Sequence, residues 1–460
     1  MTVFRRDIDE SLISWKQSQI RLPLLLRGAR QVGKTFSVIS FGRRHFQNCV
    51  VVNFEERAEF SSCFTTFNIS EILEKISVLT ASEITPGETL LFLDEIQECP
   101  AAITALRYFH EKLPQLHVIG AGSLLEFVFR SEAFRMPVGR VSSLFMQPMT
   151  LAEFIDAQGG SKLNGYLNKI HLEDSLEPFY QQEFERILRR YLLVGGMPKV
   201  VAAYLDNATS EELKILQTGI LQTYRMDFSK YASTSSHKYL KEVFMAAPGL
   251  VGQQCKYSHI NPNIQSRDLK SALQLLVEAR CLTPVYHSSG QGIPLAAQIN
   301  QARFKLLFLD VGLMQRALGL EAELLLAENL EMVNRGSLAE QFVGQELLAS
   351  QPDYEEKNIY FWAREKKSSS AEVDFLVVIE NKVIPVEVKS GKTGRLKSLR
   401  LFLDEHPETP FAIRFSLHDL SLYDRILSIP LYMVGEWRRL AGAMIAGHQS
   451  GVKAIDQGQS

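Results

Sequence analysis

Short, unbroken apolar runs mark the first third of the chain. Two of them span Leu22–Leu26 and Leu90–Leu93, and a third run, which also contains Gln115 and His117, follows at Gln115–Gly120. Such runs are typical of central strands that are buried on both faces of a parallel sheet. The stretch Phe36–Phe46, between the first two runs, has the apolar spacing of a helix. The pattern therefore predicts an α/β domain built on a parallel sheet.

The spacing becomes helical after a polar, glycine-rich stretch at Gln158–Asn164. Helical periodicity spans Glu183–Ala203 and Glu211–Asp227, with a Gly-Gly-x-Pro turn at Gly195–Val201. From Lys238 to His287, the order of helix, polar turn, helix and strand favours a winged helix-turn-helix. We therefore predict a helical region followed by a winged-helix-like region.

The first apolar run leads directly into a phosphate-binding loop. Residues 28–35 match G-x-x-x-x-G-K-[ST] at every fixed position, with a strand before them and a helix after them. Backbone N–H groups and the positive end of the helix dipole are expected to face the phosphates of a nucleotide. Lys34 adds a charge, and the Thr35 hydroxyl is expected to bind Mg²⁺. The predicted nucleotide-binding residues are Gly28, Ala29, Arg30, Gln31, Val32, Gly33, Lys34 and Thr35.

Two acidic residues end the second apolar run. Asp94 and Glu95 follow Leu90–Leu93 directly, at the carboxyl end of a predicted strand. Beside a phosphate loop, we expect Asp94 to hold Mg²⁺ through water and Glu95 to polarise the attacking water as a general base. The alternative is that both acids only cap the helix that begins near Pro100.

Two further residues are candidates for contact with the nucleotide. Ser123 follows the third run, so its hydroxyl lies beside the γ-phosphate if that strand lies between the first two. Arg140 follows a short polar segment and is a candidate arginine finger, acting in its own subunit or in a neighbouring one. The alternative for Arg140 is a solvated surface position.

A second constellation of charges lies near the C-terminus. An amphipathic helix over Gly336–Ser350 carries Glu340, and two later strands carry Asp374 on one side and Glu387 with Lys389 on the other. A two-residue turn near Glu380 to Lys382 would place Asp374 opposite Glu387 or Lys389, with all three on one face of the sheet. This is the pattern of a metal-dependent nuclease core, in which acids hold Mg²⁺ and a lysine orients water.

The C-terminal residues also have a simpler interpretation. Ser337 and Glu340 fit a helix capping box, and Glu387 with Lys389 is compatible with a solvated ion pair. We predict Glu340, Asp374 and Glu387 as metal ligands and Lys389 as a catalytic residue, with actual cleavage left open.

Composition and charge narrow the class of protein. The chain has 460 residues, 46% hydrophobic and 22% charged, and a net charge of −2, so binding of nucleic acid would need a local basic patch. The helix over Ser266–Arg280 has balanced charges, which makes DNA contact by it a secondary hypothesis. Five cysteines without metal spacing indicate reduced thiols, and we expect a cytoplasmic protein without a membrane segment.

A series of motifs resembles those of bacterial and archaeal AAA+ ATPases that carry a C-terminal DUF4143 domain: RGARQVGKT, LDEIQ, AGS, PVGR, MTLAEF, GGMPKVV, KLLFLDVGL, RGSLAEQFVGQEL, FWAREK, EVDFLV and VEVKSG. The resemblance spans nearly the whole chain. It implies an ASCE-type P-loop ATPase core, a helical lid, a winged-helix segment and a restriction-endonuclease-like C-terminal domain. It also implies nuclease-like roles for Glu340, Asp374, Glu387 and Lys389.

The expected fold class is α/β, with a P-loop NTPase parallel sheet, then a helical and winged-helix region, then a restriction-endonuclease-like α/β domain. The predicted boundaries are 1–157 for the P-loop ATPase domain, 158–235 for the helical lid, 236–325 for the winged-helix-like region, 326–446 for the DUF4143 domain and 447–460 for a flexible tail.

Two functions fit these expectations. The first is an ATP-hydrolysing AAA+ protein that couples its nucleotide state to metal-dependent cleavage of DNA or RNA. The alternative is a non-cleaving, ATP-dependent switch that binds a protein or nucleic-acid partner through its C-terminal half. The expected cofactors are ATP and Mg²⁺, and further copies of the chain are candidate partners. A protein-remodelling motor would need a threading pore, and the sequence has no obvious aromatic pore loop.

Overall fold

The computed structural model describes residues 4–130, 139–231, 236–320, 336–364, 371–391 and 396–456, without the side chains of residues 230, 231 and 447–456. The chain divides into two compact units. The first unit comprises Met1–Met149, Gln274–Cys281 and Gln351–Lys357, and the second unit comprises Thr150–Leu273, Leu282–Ser350 and Asn358–Ser460.

The described α-helices, in chain order, are α1 Ile8–Gln17, α2 Lys34–His45, α3 Ile69–Thr80, α4 Pro100–Lys112, α5 Leu125–Phe129, α6 Leu151–Ala157, α7 Ser161–Leu167, α8 Pro178–Val194, α9 Pro198–Leu205, α10 Ser210–Tyr231, α11 His237–Leu250, α12 Tyr257–Ile260, α13 Ser266–Glu278, α14 Val311–Leu318, α15 Gly336–Ala349, α16 Lys397–Glu405 and α17 Trp437–Asp456.

The described strands are β1 Leu24–Arg27, β2 Asn48–Asn53, β3 Thr89–Asp94, β4 His117–Gly122, β5 Ser142–Phe145, β6 Leu282–Ser288, β7 Ile299–Phe308, β8 Tyr360–Ala363, β9 Glu372–Ile379, β10 Lys382–Val388, β11 Ala412–Ser416, β12 Ser421–Tyr423 and β13 Ile426–Pro430. Short 3₁₀ helices span Ala58–Phe64, Ile96–Glu98, Leu295–Gln298 and Leu431–Glu436.

The first unit contains a five-stranded sheet in the order β2-β3-β4-β1-β5, with every pair parallel. The side chains of Leu90–Leu93 in β3 are fully buried, which explains why this run does not alternate with polar residues. β4 lies between β3 and β1, as the expected position of Ser123 requires. The predicted parallel α/β fold is confirmed.

The second unit contains an eight-stranded mixed sheet in the order β12-β13-β11-β10-β9-β8-β6-β7. The elements α11 to β6 include the helices and the strand that we expected in this region, and the winged helix itself remains a prediction. β6 and β7, however, continue the sheet through pairing of β6 with β8. The expected boundary between residues 325 and 326 lies outside the described residues, and the strands β6 and β7 before it share one sheet with the strands after it.

The C-terminal helix extends beyond its expected end. α17 runs from Trp437 to Asp456, so the tail that was expected to begin at Gly447 starts within a helix. Among the described helices, none combines the length and the apolarity that crossing a bilayer requires.

A distant aspartate fixes the Gly-Gly-x-Pro turn in the second unit. Asp310 accepts a hydrogen bond from the backbone N–H of Gly196 at 2.6 Å, and it caps α14 by accepting another from Leu313 at 2.9 Å. Gly195 has a φ of +77°, and a Cβ there would lie 2.2 Å from Asp310 Oδ1. The turn is therefore a structural link between two of the motifs, GGMPKVV and KLLFLDVGL.

Candidate functional sites

The phosphate loop joins β1 to α2. Gly28 has a φ of +153°, and a Cβ there would lie 2.4 Å from the carbonyl oxygen of Met146, so the position requires glycine. Gly33, with a φ of 103°, immediately precedes α2. The loop therefore presents the amino end of α2, where backbone N–H groups have no helical partner and attract anions.

Two buried cationic side chains of the first unit donate hydrogen bonds to backbone carbonyl oxygens of the loop. Lys34 is buried, and its ammonium donates to the carbonyl oxygens of Gly28 at 3.0 Å and Ala29 at 2.8 Å. Burial lowers the pKa of Lys34 to about 8, although Glu95 and Asp94 act in the opposite direction. Arg6, also buried, donates to the carbonyl oxygen of Val32 at 3.0 Å. The loop is thus held in shape by protein groups alone.

Asp94 lies within reach of the loop at the carboxyl end of β3. Thr35 Oγ1 donates to Asp94 Oδ1 at 3.0 Å, and Asn53 Nδ2 at the end of β2 donates to Asp94 Oδ2 at 3.2 Å. Burial, with the charge of Glu95, raises the pKa of Asp94 to about 6. A hydroxyl beside a carboxylate is the oxygen set that Mg²⁺ prefers next to nucleotide phosphates, so Thr35 and Asp94 fit the ion.

Glu95 occupies a strained backbone position. Its φ of 49° lies in the left-handed region, which is rare for residues other than glycine and is common at active sites. Gln97 Nε2 donates to Glu95 Oε2 at 2.7 Å and so orients the carboxylate. Glu95 does not belong to α4, which begins at Pro100 and is preceded by Cys99. This position, outside the helix it was alternatively expected to cap, favours the general-base interpretation.

The two remaining nucleotide-site candidates lie in different places. Ser123 is buried and directly follows β4, next to the end of β3. Arg140 lies two residues before β5, and its Nε contacts Glu111 Oε1 near the end of α4 at 3.2 Å. Because β5 is parallel to β1, Arg140 lies at the amino edge of the sheet, whereas the phosphate loop leaves the carboxyl edge. Arg140 is therefore not an arginine finger for its own subunit in this arrangement.

A different arginine lies near the phosphate loop. Arg280, two residues after α13, donates to Glu126 Oε1 at 2.7 Å, and Arg27 at the end of β1 donates to the same oxygen at 3.0 Å. The ring of Phe145 lies under both guanidinium groups, at 4.8 Å from Arg280 and 4.6 Å from Arg27. The charge of Arg280 contributes to lowering the pKa of Lys34, which places Arg280 within electrostatic range of the loop.

The charged residues at the end of the expected recognition helix form ion pairs within the chain. Arg280 pairs with Glu126, and Glu278 pairs with Arg130 at 2.5 Å. Arg267, at the other end of α13, pairs with Asp268 at 3.4 Å. α13 therefore has no basic face formed by these residues, and DNA contact by this helix remains an unsupported prediction.

In the second unit, β9 and β10 form the expected hairpin. Glu380 and Asn381, with φ values of 45° and 61°, make a two-residue turn. The register pairs Phe375 with Val386, so the next pair along the strands is Asp374 opposite Glu387. This is one of the two pairings that the sequence allowed. Lys389, two residues after Glu387, forms an ion pair with it.

A buried lysine lies among the C-terminal acids. Lys305 in β7 has a side chain that is 1% exposed, and its ammonium lies 2.6 Å from Glu340 Oε1, 2.9 Å from Glu372 Oε1 and 3.3 Å from Asp374 Oδ1. Burial opposes its charge, but the three carboxylates together raise the pKa of Lys305 above its ordinary value. Burial and the charge of Asp374 raise the pKa of Glu340 to about 8. Three acids thus share one ammonium.

The predicted C-terminal metal ligands do not fit a metal ion in this arrangement. Lys305 contacts Glu340 and Asp374 where a cation would have to bind, and the second oxygen of Asp374 accepts from the N–H of Val388 at 2.8 Å. Over the residues that the structure describes, no group of three His, Cys, Asp or Glu side chains is placed to hold a metal. The metal assignment for Glu340, Asp374 and Glu387 remains a prediction.

Three protein-family models match consecutive parts of the chain. Residues 21–155 match the model described as an AAA domain, and residues 335–433 match a domain of unknown function, DUF4143. The chain is an AAA+ type protein with a C-terminal DUF4143 domain. Residues 185–324 match a further domain of unknown function, DUF8612, so one model crosses the boundary that we expected between residues 235 and 236. No curated protein matches this AAA+ protein significantly.

Solved structures give only distant likenesses to this AAA+ protein. The Aeropyrum pernix ORC1 protein in complex with DNA is 14% identical, covering 68% of this chain and 91% of that one, with a TM-score of 0.28. The Thermotoga maritima RuvB Holliday junction branch migration motor is also 14% identical, covering 61% and 89%, with a TM-score of 0.29. TM-scores this low support no inference about function or partners.

Sequence reasoning missed several polar residues of this AAA+ protein that lie in or near its two candidate sites. Asn53 ends a strand next to β3, and this position at a carboxyl edge is a signal that could have identified it. Arg6, Arg280 and Lys305 reach their sites from elements that are distant in sequence. Lys305 opens the motif KLLFLDVGL, and its charge directly before the apolar run Leu306–Leu309 was the available signal.

Proposed function

We propose that this AAA+ protein binds and hydrolyses ATP and acts as a nucleotide-dependent switch for a partner bound by its C-terminal half. The observation that carries the enzymatic part is the meeting of Lys34, Thr35, Asp94 and Glu95 at the carboxyl edge of one parallel sheet. Ligands of open α/β sheets bind at this edge. A match to the AAA domain model over residues 21–155 supports the same assignment.

Each residue of the nucleotide site would have a separate role in phosphoryl transfer. The N–H groups at the amino end of α2 would bind the phosphate oxygens, and Lys34 would leave the carbonyl oxygens of Gly28 and Ala29 to pair with the β- and γ-phosphates. Thr35 and Asp94 would hold Mg²⁺, which lowers the charge of the triphosphate when bound. Glu95, oriented by Gln97, would accept the proton of the attacking water.

The direct test is ATP binding and Mg²⁺-dependent release of phosphate by the purified full chain. Binding is measured by equilibrium titration with a fluorescent ATP analogue, and turnover by a coupled phosphate assay. Both are expected. Binding without turnover would leave the nucleotide site in place and remove the hydrolytic part of the proposal.

Arg280 is expected to strengthen ATP binding. Its guanidinium lies within electrostatic range of Lys34 and donates to Glu126. Because a charge-assisted contact contributes about 1.5–3 kcal/mol, Arg280→Ala is expected to weaken ATP binding by about tenfold. Arg267→Ala is the control, since that arginine is 85% exposed on α13, the helix that precedes Arg280. Equal affinities for the wild type and Arg280→Ala would contradict a role in binding.

Lys305 favours the switch over a nuclease in this arrangement. Its ammonium already contacts Glu340 and Asp374, two of the three acids that were expected to bind metal. Metal-dependent cleavage of DNA or RNA is the second candidate, favoured by Glu387, which lies opposite Asp374 and has a buried Oε2 atom without a hydrogen-bond partner among the described residues. The switch and the nuclease are distinguished by incubating labelled DNA and RNA with Mg²⁺ or Mn²⁺ and comparing degradation by the wild type and by Asp374→Ala.

Removing the Lys305 charge is expected to destabilise the second unit. Lys305→Met leaves three carboxylates without their buried counter-charge, which costs about 3–5 kcal/mol. The melting temperature is therefore expected to fall, and Mn²⁺ is expected to restore part of it, because a divalent cation replaces the lost charge.

Lys389→Met is the control for Lys305→Met, since the Lys389 side chain is 31% exposed and the expected loss is smaller. Melting is followed by differential scanning fluorimetry with and without Mn²⁺. Equal melting temperatures for the wild type and Lys305→Met would show that Lys305 does not hold the acids together.

A further inference from the structure

A row of polar side chains crosses the sheet of the second unit. The register pairs Glu387 in β10 with Arg414 in β11, and Arg414 with Ser428 in β13. Residues paired across neighbouring strands share a face of the sheet. Lys389 shares that face as well, because it lies two residues after Glu387. One face of the sheet therefore carries the guanidinium of Arg414, the ammonium of Lys389 and the hydroxyl of Ser428.

Arg414 is buried without a partner. The residue is 9% exposed, and its Nε atom is buried and has no hydrogen-bond partner in the part of the chain that the structure describes. Burial lowers the pKa of Arg414, in agreement with a charge held away from water. Buried arginines are almost always paired, because an unpaired buried charge costs several kcal/mol. This guanidinium is therefore placed for a group that the described residues do not supply.

The adjacent acids do not fill that role. Glu387 lies next to Arg414 across the strands, yet it pairs with Lys389 and forms no ion pair with Arg414 among the described residues. Asp374 is engaged by Lys305 and by the N–H of Val388. Each of these carboxylates has a cation beside it, which reduces its repulsion of an anion at Arg414, although Glu387 Oε2 has no hydrogen-bond partner among the described residues.

The apolar neighbours of Arg414 define the limits of the site. Ala412, two residues earlier on the same face, packs with Leu399 and Phe402 of α16 in an apolar cluster. The polar row lies one step further along the strands, and Lys389 is partly exposed there. Arg414 therefore lies two residues beyond Ala412 of this cluster, and the partly exposed Lys389 lies on the same face two residues further along the strands.

We propose that Arg414, with Lys389 and Ser428, binds a phosphate group on this face of the C-terminal sheet. Donors on three different strands, β10, β11 and β13 or their ends, suit a tetrahedral oxyanion, which accepts hydrogen bonds in several directions. A planar carboxylate offers acceptors in one plane only. The phosphate has two possible sources, the backbone of a nucleic acid and free phosphate or a phosphorylated small molecule. This inference goes beyond the proposed ATPase and does not depend on it.

The test uses the full chain with Lys34→Ala, so that phosphate binding at the nucleotide loop does not contribute. Fluorescence anisotropy with a labelled single-stranded oligonucleotide at low salt measures the nucleic-acid arm. Arg414→Gln is expected to weaken this binding by about tenfold or more. Arg400→Gln is the control, since Arg400 is 58% exposed on α16 and is expected to leave binding unchanged. Arg414→Lys, which keeps the charge and loses the planar fork, is expected to give an intermediate affinity.

Inorganic phosphate provides the second arm. It is expected to raise the melting temperature of the Lys34→Ala protein by more than that of the Lys34→Ala, Arg414→Met protein. The readout is the difference between the two rises in melting temperature, because phosphate also stabilises proteins generally by exclusion from their surface. If phosphate stabilises the two proteins differently but Arg414→Gln leaves oligonucleotide binding unchanged, the site is assigned to free phosphate. Identical behaviour of the Arg414 variants and their parent in both arms would overturn the proposal.

Discussion

Glu95→Gln is expected to bind ATP with nearly wild-type affinity and to hydrolyse it about 100- to 10,000-fold more slowly. Glutamine keeps the size of the side chain and its hydrogen bond to Gln97, but it cannot accept a proton from the attacking water. The phosphate loop, Lys34 and Thr35 are unchanged, so ground-state binding is preserved. The measurement pairs equilibrium ATP binding with steady-state release of phosphate.

Glu98→Gln is a suitable control for Glu95→Gln, because Glu98 lies in the adjacent 3₁₀ helix and is exposed. It is expected to retain wild-type turnover. Undiminished hydrolysis by Glu95→Gln would remove the general-base role from Glu95 and return it to a structural role at the end of β3.

Lys34→Ala is expected to reduce ATP affinity by about 100-fold or more, and with it all turnover at moderate ATP concentrations. The buried ammonium of Lys34 lies within the phosphate loop, beside the carbonyl oxygens of Gly28 and Ala29. Two charge-assisted contacts to phosphate account for a loss of this size. The same titration with the fluorescent ATP analogue measures the effect.

Lys75→Ala is the matched control for Lys34→Ala, since Lys75 is 39% exposed and pairs with Glu71 on α3. Melting curves show whether each variant is folded. A folded Lys34→Ala protein that binds ATP as well as the wild type would contradict the assignment of the loop.

The nucleotide site could be predicted because its determinants are local. The phosphate loop occupies eight consecutive residues, and Asp94 and Glu95 follow a strand whose unbroken apolar run shows that it is central. The position of Ser123 depended on strand order, and the parallel register of β3, β4 and β1 supplies it. The hairpin pairing of Asp374 with Glu387 was predictable for the same reason, since a two-residue turn fixes the register.

What could not be predicted depends on contacts between residues that are distant in the chain. Lys305 meets Glu340 and Asp374 because β7 and α15 pack in the same unit, and no pattern near Lys305 indicates this neighbourhood. Arg280 was assigned to a helix with balanced charges, for which DNA contact was a secondary hypothesis, whereas it pairs with Glu126 near the phosphate loop. Arg140 was placed near the nucleotide by its position in the sequence, but the direction of β5 puts it at the opposite edge of the sheet.

The C-terminal cluster shows why residue types alone do not define a metal site. The acids Glu340, Asp374 and Glu387 occur in the expected order, and two of them lie opposite each other. A buried lysine from another strand changes what these acids can bind, because it supplies the positive charge that a metal would otherwise provide. The same packing leaves Arg414 without a partner, although its neighbour in the row is an acid.

The central claim is that the first unit is an ATP-hydrolysing enzyme, and steady-state release of phosphate from ATP by the wild-type chain tests it most directly. We predict Mg²⁺-dependent turnover that is abolished by chelation of the metal and that saturates with ATP. A protein that is folded and binds ATP, yet releases no phosphate above the rate of the Glu95→Gln variant, would contradict it.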